Sequence, residues 1–283
     1  TSGVGPGAWL VPVLAFSPVF WNIVEGQNAF LTAALLGGGV LLADRRPVLA
    51  GMLFGAACYK PHFGLLVPVA LLAGRRWRSV AAAAGVVVGL GGLSWLLYGT
   101  ATWAAYLRLF LDSGHEYGAG RVSFSGMVGT FGASRLAGVA VPAAMVLQGL
   151  AGLAAAGVVG WIWWRGASHA VRAAALLSGT MLAVPMALLY DQLITLMALC
   201  WLVQEGRCRG FLRGERPLLA GAFLLAVASF PLAATLSLPL APVPAAILLG
   251  LCGARAIPQR SGRAAGTGGG CHGRADPSIC AGP

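Results

Sequence analysis

Nine apolar stretches, joined by short connections rich in arginine, leave this chain few folds other than a bundle of membrane-crossing helices. They cover residues 9–24, 29–43, 48–73, 80–98, 139–164, 171–189, 193–203, 218–236 and 244–252. A bilayer core takes about 20 apolar residues per helix, and backbone groups in lipid have to be paired within the segment or against neighbouring protein. Charged residues make up 10% of the chain, against about 25% in soluble domains. The expected fold is therefore all-α, a polytopic transmembrane helical bundle over residues 1–256. Several stretches are short for a perpendicular crossing, which suits tilted or broken helices buried among neighbours. From residue 257 the composition turns to Gly, Arg, Ser and Pro, and 257–283 reads as a disordered tail.

The longest stretch carries the most information. Residues 48–73 are apolar except at Tyr59-Lys60-Pro61-His62, and Lys60 is the only lysine in the chain. A cation at such depth is costly and by default marks a functional site. Loop charges decide how this stretch crosses. If it enters and returns as a helical hairpin, only Lys60, Arg108, Arg121 and Arg135 lie outside, and the other 15 of the 19 basic residues lie inside. That split follows the positive-inside rule; a single crossing would invert every later loop and erase it. Pro61 and the charged apex then separate two half-length helices. The outward face carries Glu25-Gly26-Gln27-Asn28, the apex, the loop 99–138 and Tyr190-Asp191-Gln192. Trp95, Tyr98, Trp103 and Tyr106 form an aromatic belt there, with residues 103–111 as an interfacial helix.

The net charge of +11 is explained by this orientation, and no basic patch interleaved with aromatics points to nucleic acid. The six cysteines are scattered, without a CxxC pair or a second zinc-ligand pair, so neither metal nor cofactor is expected. The chain starts at Thr1 with no basic n-region or cleavage site, and reads as a piece whose beginning has been lost. Arginine exceeds lysine by 18 to 1, as in a GC-rich bacterial genome, which places the protein in a bacterial inner (plasma) membrane.

Four groups of polar residues offer chemistry. Lys60, with Tyr59 and His62, suits the phosphate of a lipid whose tail lies in the bilayer; the alternative is a snorkelling lysine that pins the apex. Glu25, Gln27 and Asn28 present a carboxylate and paired amide donors and acceptors that match sugar hydroxyls, or else form a turn with a capping amide. Asp191 is open to three roles: a sugar contact, a partner for Lys60 or an arginine, or a cap on the helix beginning at Leu193. Asp112, His115 and Glu116 read as a solvated loop before any metal or acid–base site.

Taken in order, Ser17-Pro18-Val19, Gly26-Gln27-Asn28-Ala29-Phe30-Leu31, Asp44-Arg45-Arg46-Pro47 with Leu49-Ala50-Gly51, Tyr59-Lys60-Pro61 and Leu72-Ala73-Gly74-Arg75-Arg76-Trp77-Arg78 resemble glycosyltransferase family 87. That group includes the polyprenyl-phosphate-mannose-dependent mannosyltransferases of actinobacteria. The resemblance covers about residues 17 to 205, and its Gly-Gln-Asn and Tyr-Lys-Pro motifs are the specific part. It implies a C-type membrane glycosyltransferase that takes a sugar, mannose first among candidates, from a polyprenyl-phosphate donor. The sugar passes to a lipid or glycan acceptor on the outer face, with inversion. The acidic general base it implies lies in a first outward loop, before Thr1. The chain departs from the family at His62, where glutamine is common, and around Tyr190-Asp191, where one acidic residue is missing. A transporter or flippase of lipid-linked sugars would use Lys60 in the same way but calls for an internal repeat, which the sequence lacks; an inactive fragment is the third reading.

Overall fold

The computed structural model of the chain describes residues 14–118 and 120–257, without the side chains of 113–118. The expected disordered tail from 258 onward and the first part of stretch 9–24 lie outside the described residues. Within them the chain is an all-α membrane bundle. Its helices are α1 (Ser17–Val24), α2 (Ala29–Leu42), α3 (Pro47–Ala56), α4 (Leu66–Ala73), α5 (Trp77–Gly118), α6 (Thr130–Leu136), α7 (Val141–Trp164), α8 (His169–Ala183), α9 (Leu193–Arg209), α10 (Glu215–Leu236) and α11 (Val243–Ala256). Three of them, Trp77–Asp112, Val141–Trp164 and Glu215–Leu236, are long and apolar enough to cross a membrane. The core, formed by residues such as Phe54, Phe63, Leu71, Ile162, Leu176 and Leu248, lies around α8 and faces α4, α7, α9 and α11.

Local chemistry sets most boundaries. Proline near the start of α3, α7 and α11 supplies a preset φ where no intrahelical donor is needed. Ser168 caps α8, its Oγ accepting from the Val171 amide at 3.3 Å. α8 stops six residues before the end of its apolar stretch because Pro185 forces Val184 into extended backbone (φ −79°, ψ 119°). α9 continues past Val203 into the polar turn Gln204–Arg209, where Glu205 and Arg209 pair at i, i+4. The outer loop expected over 99–138 is helical well beyond the expected 103–111. α5 runs through it to Gly118 with one break at Gly99 (φ 75°, ψ 171°), a backbone conformation that favours glycine.

The hairpin can be traced from contacts. A Cβ on Gly51 would lie 2.3 Å from the Ser79 carbonyl oxygen, and one on Gly55 would lie 2.6 Å from that of Ala83. Residue numbers rise together along this crossing, so α3 and the start of α5 run parallel, and α4 between them runs back. The bases of the two arms meet: Arg76 Nη2 donates to Asp44 Oδ1 at 2.5 Å, and Ser79 Oγ donates to the Pro47 carbonyl at 2.8 Å. Asp44 Oδ2 also meets His169 Nδ1 at 2.9 Å and accepts from Arg172 Nη2 at 2.7 Å. Asp44 thus joins the turn before α3, the turn before α5 and the start of α8 at one end of the bundle. At the same end Arg255 grips the buried Glu215 with two bonds of 2.6 Å.

Burial of Asp44 acts to raise its carboxyl, but Arg172, His169 and Arg76 outweigh it and hold the group below the usual carboxylate range. A depressed folded-state value means that the stabilisation is fully present above about pH 4 and is lost as pH falls through the lower, folded value. Asp44→Asn is expected to flatten the acid limb of the stability curve below about pH 4. A variant whose melting temperature keeps the wild-type acid dependence would show that the clamp contributes nothing.

Candidate functional site

At the opposite end of the bundle, α3 gives way to a 3-10 turn (Ala57–Tyr59), then Lys60, then a second 3-10 turn (Pro61–Gly64) before α4. Lys60 itself is non-helical (φ −122°, ψ 76°), as expected of a residue before proline. Two opposed contacts hold this apex. Tyr59 Oη lies 2.5 Å from Thr32 Oγ1 and donates to the Asn28 carbonyl at 3.2 Å, tying the apex to α2. Lys60 Nζ donates to Asp191 Oδ1 at 3.3 Å, tying it to the segment between α8 and α9. The ammonium also faces the rings of Tyr190 (5.4 Å) and Phe63 (5.6 Å). The Lys60 side chain is 17% exposed and that of Asp191 is 3% exposed.

Asp191 is positioned from its other oxygen. Oδ2 accepts the Leu188 amide at 3.0 Å at the start of the 3-10 turn Leu189–Gln192. Of its three expected roles, Asp191 takes up the Lys60 partnership together with a cap on this short turn; α9 itself begins after Gln192. Leu188 is held in turn by an antiparallel bridge to Met127, beside the Val128 amide donating to Ala187 O at 2.9 Å. Gln148 on α7 fixes that segment: it accepts from the Phe131 amide (2.9 Å) and donates to Leu182 O (2.9 Å) and Ala183 O (3.2 Å). Gln192 donates to Ser229 Oγ at 3.0 Å and so anchors the turn to α10.

The sequence-derived site residues are not equally engaged. Lys60 and Asp191 come together directly, while Tyr59, next to Lys60 in the chain, is tied instead to Thr32 and Asn28. His62 is half-buried with its ring 4.6 Å from that of Phe63. Glu25, Gln27 and Asn28 are exposed in the turn between α1 and α2, and reach the apex only through the Asn28 carbonyl. Gly26 turns there with φ +60° and open space around it, so its backbone conformation is what calls for glycine. Sequence reasoning missed Asn22, which is 1% exposed. Its Oδ1 accepts the Ala29 amide at 3.1 Å, and its carbonyl accepts the Gln27 amide at 3.0 Å, so one residue shapes the whole turn. A lone amide in apolar helix five residues before Gln27 was the available signal. Gln148, in the middle of an apolar span, gave the same kind of signal. Asp112 is exposed, while the side chains of His115 and Glu116 lie outside the described residues; no metal-binding group occurs among the described residues.

Beside the apex runs an open, mainly apolar groove of about 580 Å³. Tyr59 and Pro61 line one wall, Val87 and Leu90 the floor, and Trp103 and Tyr106 the other wall, beyond the break in α5 at Gly99. Lys60 stands between the lining residues Tyr59 and Pro61, with its ammonium turned toward Asp191 and Tyr190 beside the groove. Its charge is already offset from within by Asp191. An added anion would share or replace that partner rather than neutralise a bare ammonium, and Nζ has two further N–H groups with which to do so.

A sequence model of glycosyltransferase family 87 matches residues 2–190. No curated protein and no solved structure matches the chain.

Proposed function

The chain belongs to glycosyltransferase family 87, a family of membrane glycosyltransferases, and from that premise we propose that it binds a polyprenyl-phosphate sugar, with mannose the first candidate, for transfer to a lipid or glycan acceptor. The observation that carries this reading is that Lys60 stands in the chain between Tyr59 and Pro61, which line the apolar groove. A donor with a prenyl chain, a phosphate and a hexose has the same order of chemistry: apolar, anionic, hydroxylated. The chain lies along Leu90, Trp103 and Tyr106, and the phosphate takes the free N–H groups of Lys60 in charge-assisted bonds. The sugar faces Gln27, Asn28 and Glu25, whose amides and carboxylate suit hydroxyls. His62 and the Asp191 end of the turn flank the phosphate. The described residues bind and orient the donor, and none of them is assigned as the general base.

Competition tests this. Binding of a radiolabelled polyprenyl-phosphate mannose in detergent is expected to be displaced by polyprenyl phosphate and left unchanged by mannose 1-phosphate, because the groove supplies much of the affinity. Equal displacement by the water-soluble sugar phosphate would remove the groove from the donor site.

The same reading places the Lys60 end on the outer side of a bacterial plasma membrane and the Asp44 end inside. In a cysteine-free background, an impermeant maleimide added to intact cells is expected to modify His62→Cys and spare Trp77→Cys. Labelling at 77 alone would reverse the orientation and put the donor on the other side.

A further inference from the structure

A second cavity, of about 460 Å³, opens at the Asp44 end, on the far side of the bundle from Lys60. Three helix ends enclose it: the last turn of α2, the first turn of α8 and the second half of α9 from Trp201. The acidic groups on its wall are already engaged. Asp44 is held by Arg76, His169 and Arg172, and Glu205 Oε1 accepts from Ser168 Oγ at 2.8 Å and meets Arg209 Nε at 3.4 Å. An ammonium ligand would therefore find no uncompensated carboxylate.

Neutral hydrogen-bonding groups are what remain open. Trp201 and Gln204 line the cavity, and neither the indole N–H nor the side-chain amide makes a hydrogen bond among the described residues. Trp201 is fixed by an edge contact with the His169 ring, centroids 5.1 Å apart at 73°, and His169 is fixed by Asp44. At the rim stands Arg209, 66% exposed and bound to Glu205 only by the long 3.4 Å contact. The contact runs through Nε alone, so Glu205 keeps its partner while the rest of the exposed guanidinium meets an incoming anion. Indole and amide groups suit hydroxyls, and a guanidinium suits a phosphodiester.

We infer that this cavity holds the headgroup of a hydroxylated anionic phospholipid of the phosphatidylglycerol type, with phosphate on Arg209 and hydroxyls on Gln204 and Trp201. The lipid belongs to the leaflet opposite the Lys60 site. The inference is independent of the donor reading, since the two cavities share no residue.

The test uses the full chain in nanodiscs of phosphatidylcholine doped with phosphatidylglycerol or phosphatidylethanolamine, extracted gently and analysed by native mass spectrometry. Phosphatidylglycerol is expected to be retained at least tenfold over either zwitterionic lipid, and sn-glycerol 1-phosphate at millimolar concentration is expected to displace it. Trp201→Phe keeps the ring contact with His169, and Gln204→Leu removes a group without a partner. The double variant is expected to lose the tenfold preference while keeping the lipid-free melting temperature and donor binding at Lys60. Equal retention of all three lipids overturns the inference. So does a preference that survives the double variant, or one that glycerol phosphate cannot displace, since acyl-chain contacts elsewhere would then hold the lipid. Loss of donor binding alone would count against the reading of the Lys60 end and leave this one standing.

Discussion

Lys60→Met is expected to weaken donor binding and folding together, and adding Asp191→Asn is expected to repair only the folding. A charge-assisted hydrogen bond is worth about 1.5–3 kcal/mol, so loss of the ammonium should lower affinity for a polyprenyl-phosphate sugar roughly tenfold to a hundredfold. The single variant also strands the Asp191 carboxylate, which is 2% exposed. Breaking a fully buried pair costs about 3–5 kcal/mol; with Lys60 partly exposed, on the order of 2 kcal/mol is expected here. Asp191→Asn removes the stranded charge and leaves an amide oxygen to accept the Leu188 amide. The double variant should therefore melt close to wild type while its donor affinity stays low. Lys60→Arg is expected to keep part of the binding, since the charge persists in a different geometry. Restoration of donor affinity in the Lys60→Met/Asp191→Asn protein would show that Lys60 serves only to pin the apex, and the phosphate assignment would fall.

Gly51 and Gly55 are expected to be the least replaceable residues of the hairpin. Alanine in mid-helix ordinarily gains up to about 1 kcal/mol over glycine, so an exposed glycine on α5 such as Gly85, with nothing near its Cβ position, should tolerate or welcome it. At Gly51 the new methyl would stand 2.3 Å from the Ser79 carbonyl oxygen and 2.8 Å from the Ala82 Cβ. Backbone lies in the way, so α3 has to move off α5. Overpacking of this kind costs typically 1–3 kcal/mol, about as much again for a second clash, and Gly55→Ala repeats it one turn further along against Ala83. The double Gly51→Ala/Gly55→Ala variant should lose several degrees of melting temperature, whereas Gly85→Ala should lose none. Equal melting temperatures for the two would mean that the helices are not in contact.

The hairpin was legible because two independent constraints agreed on it. Loop arginines required an even number of crossings between Asp44 and Arg75, and Pro61 beside a lone lysine marked where the chain turned. The partnership of Lys60 was less legible. Asp191 lies 131 positions away, and its sequence neighbours offered a helix cap as an equally good use. Pairing across that distance depends on how Leu188, Met127 and Gln148 stack, and none of this leaves a periodic trace. A helix over residues 103–111 was expected, but its continuity with the preceding span and its extension to 118 were hidden for a different reason. Glycine at 99 and polar residues from 112 onward resemble loop punctuation, yet the break is local and the helix resumes. Asn22 was overlooked because its work is done on backbone amides, which sequence patterns do not show.

The break at Gly99 sets a length. From Trp77 to Tyr98 the first arm of α5 has 22 residues, or about 33 Å at the usual helical rise, close to the roughly 30 Å of a bilayer's hydrocarbon. With that arm spanning the hydrocarbon under the proposed orientation, Trp103 and Tyr106 on the second arm would sit at the level of the lipid headgroups. The protein carries a ruler fitted to one thickness of membrane. In a bilayer several ångströms thinner or thicker, mismatch costs fractions of a kcal/mol per ångström, and the cheapest relief is to bend at Gly99, which moves the Trp103–Tyr106 wall relative to Lys60. On the proposed donor reading, acyl-chain length of the host membrane is expected to be a variable of donor capture, with an optimum where the straight arm and the hydrocarbon match.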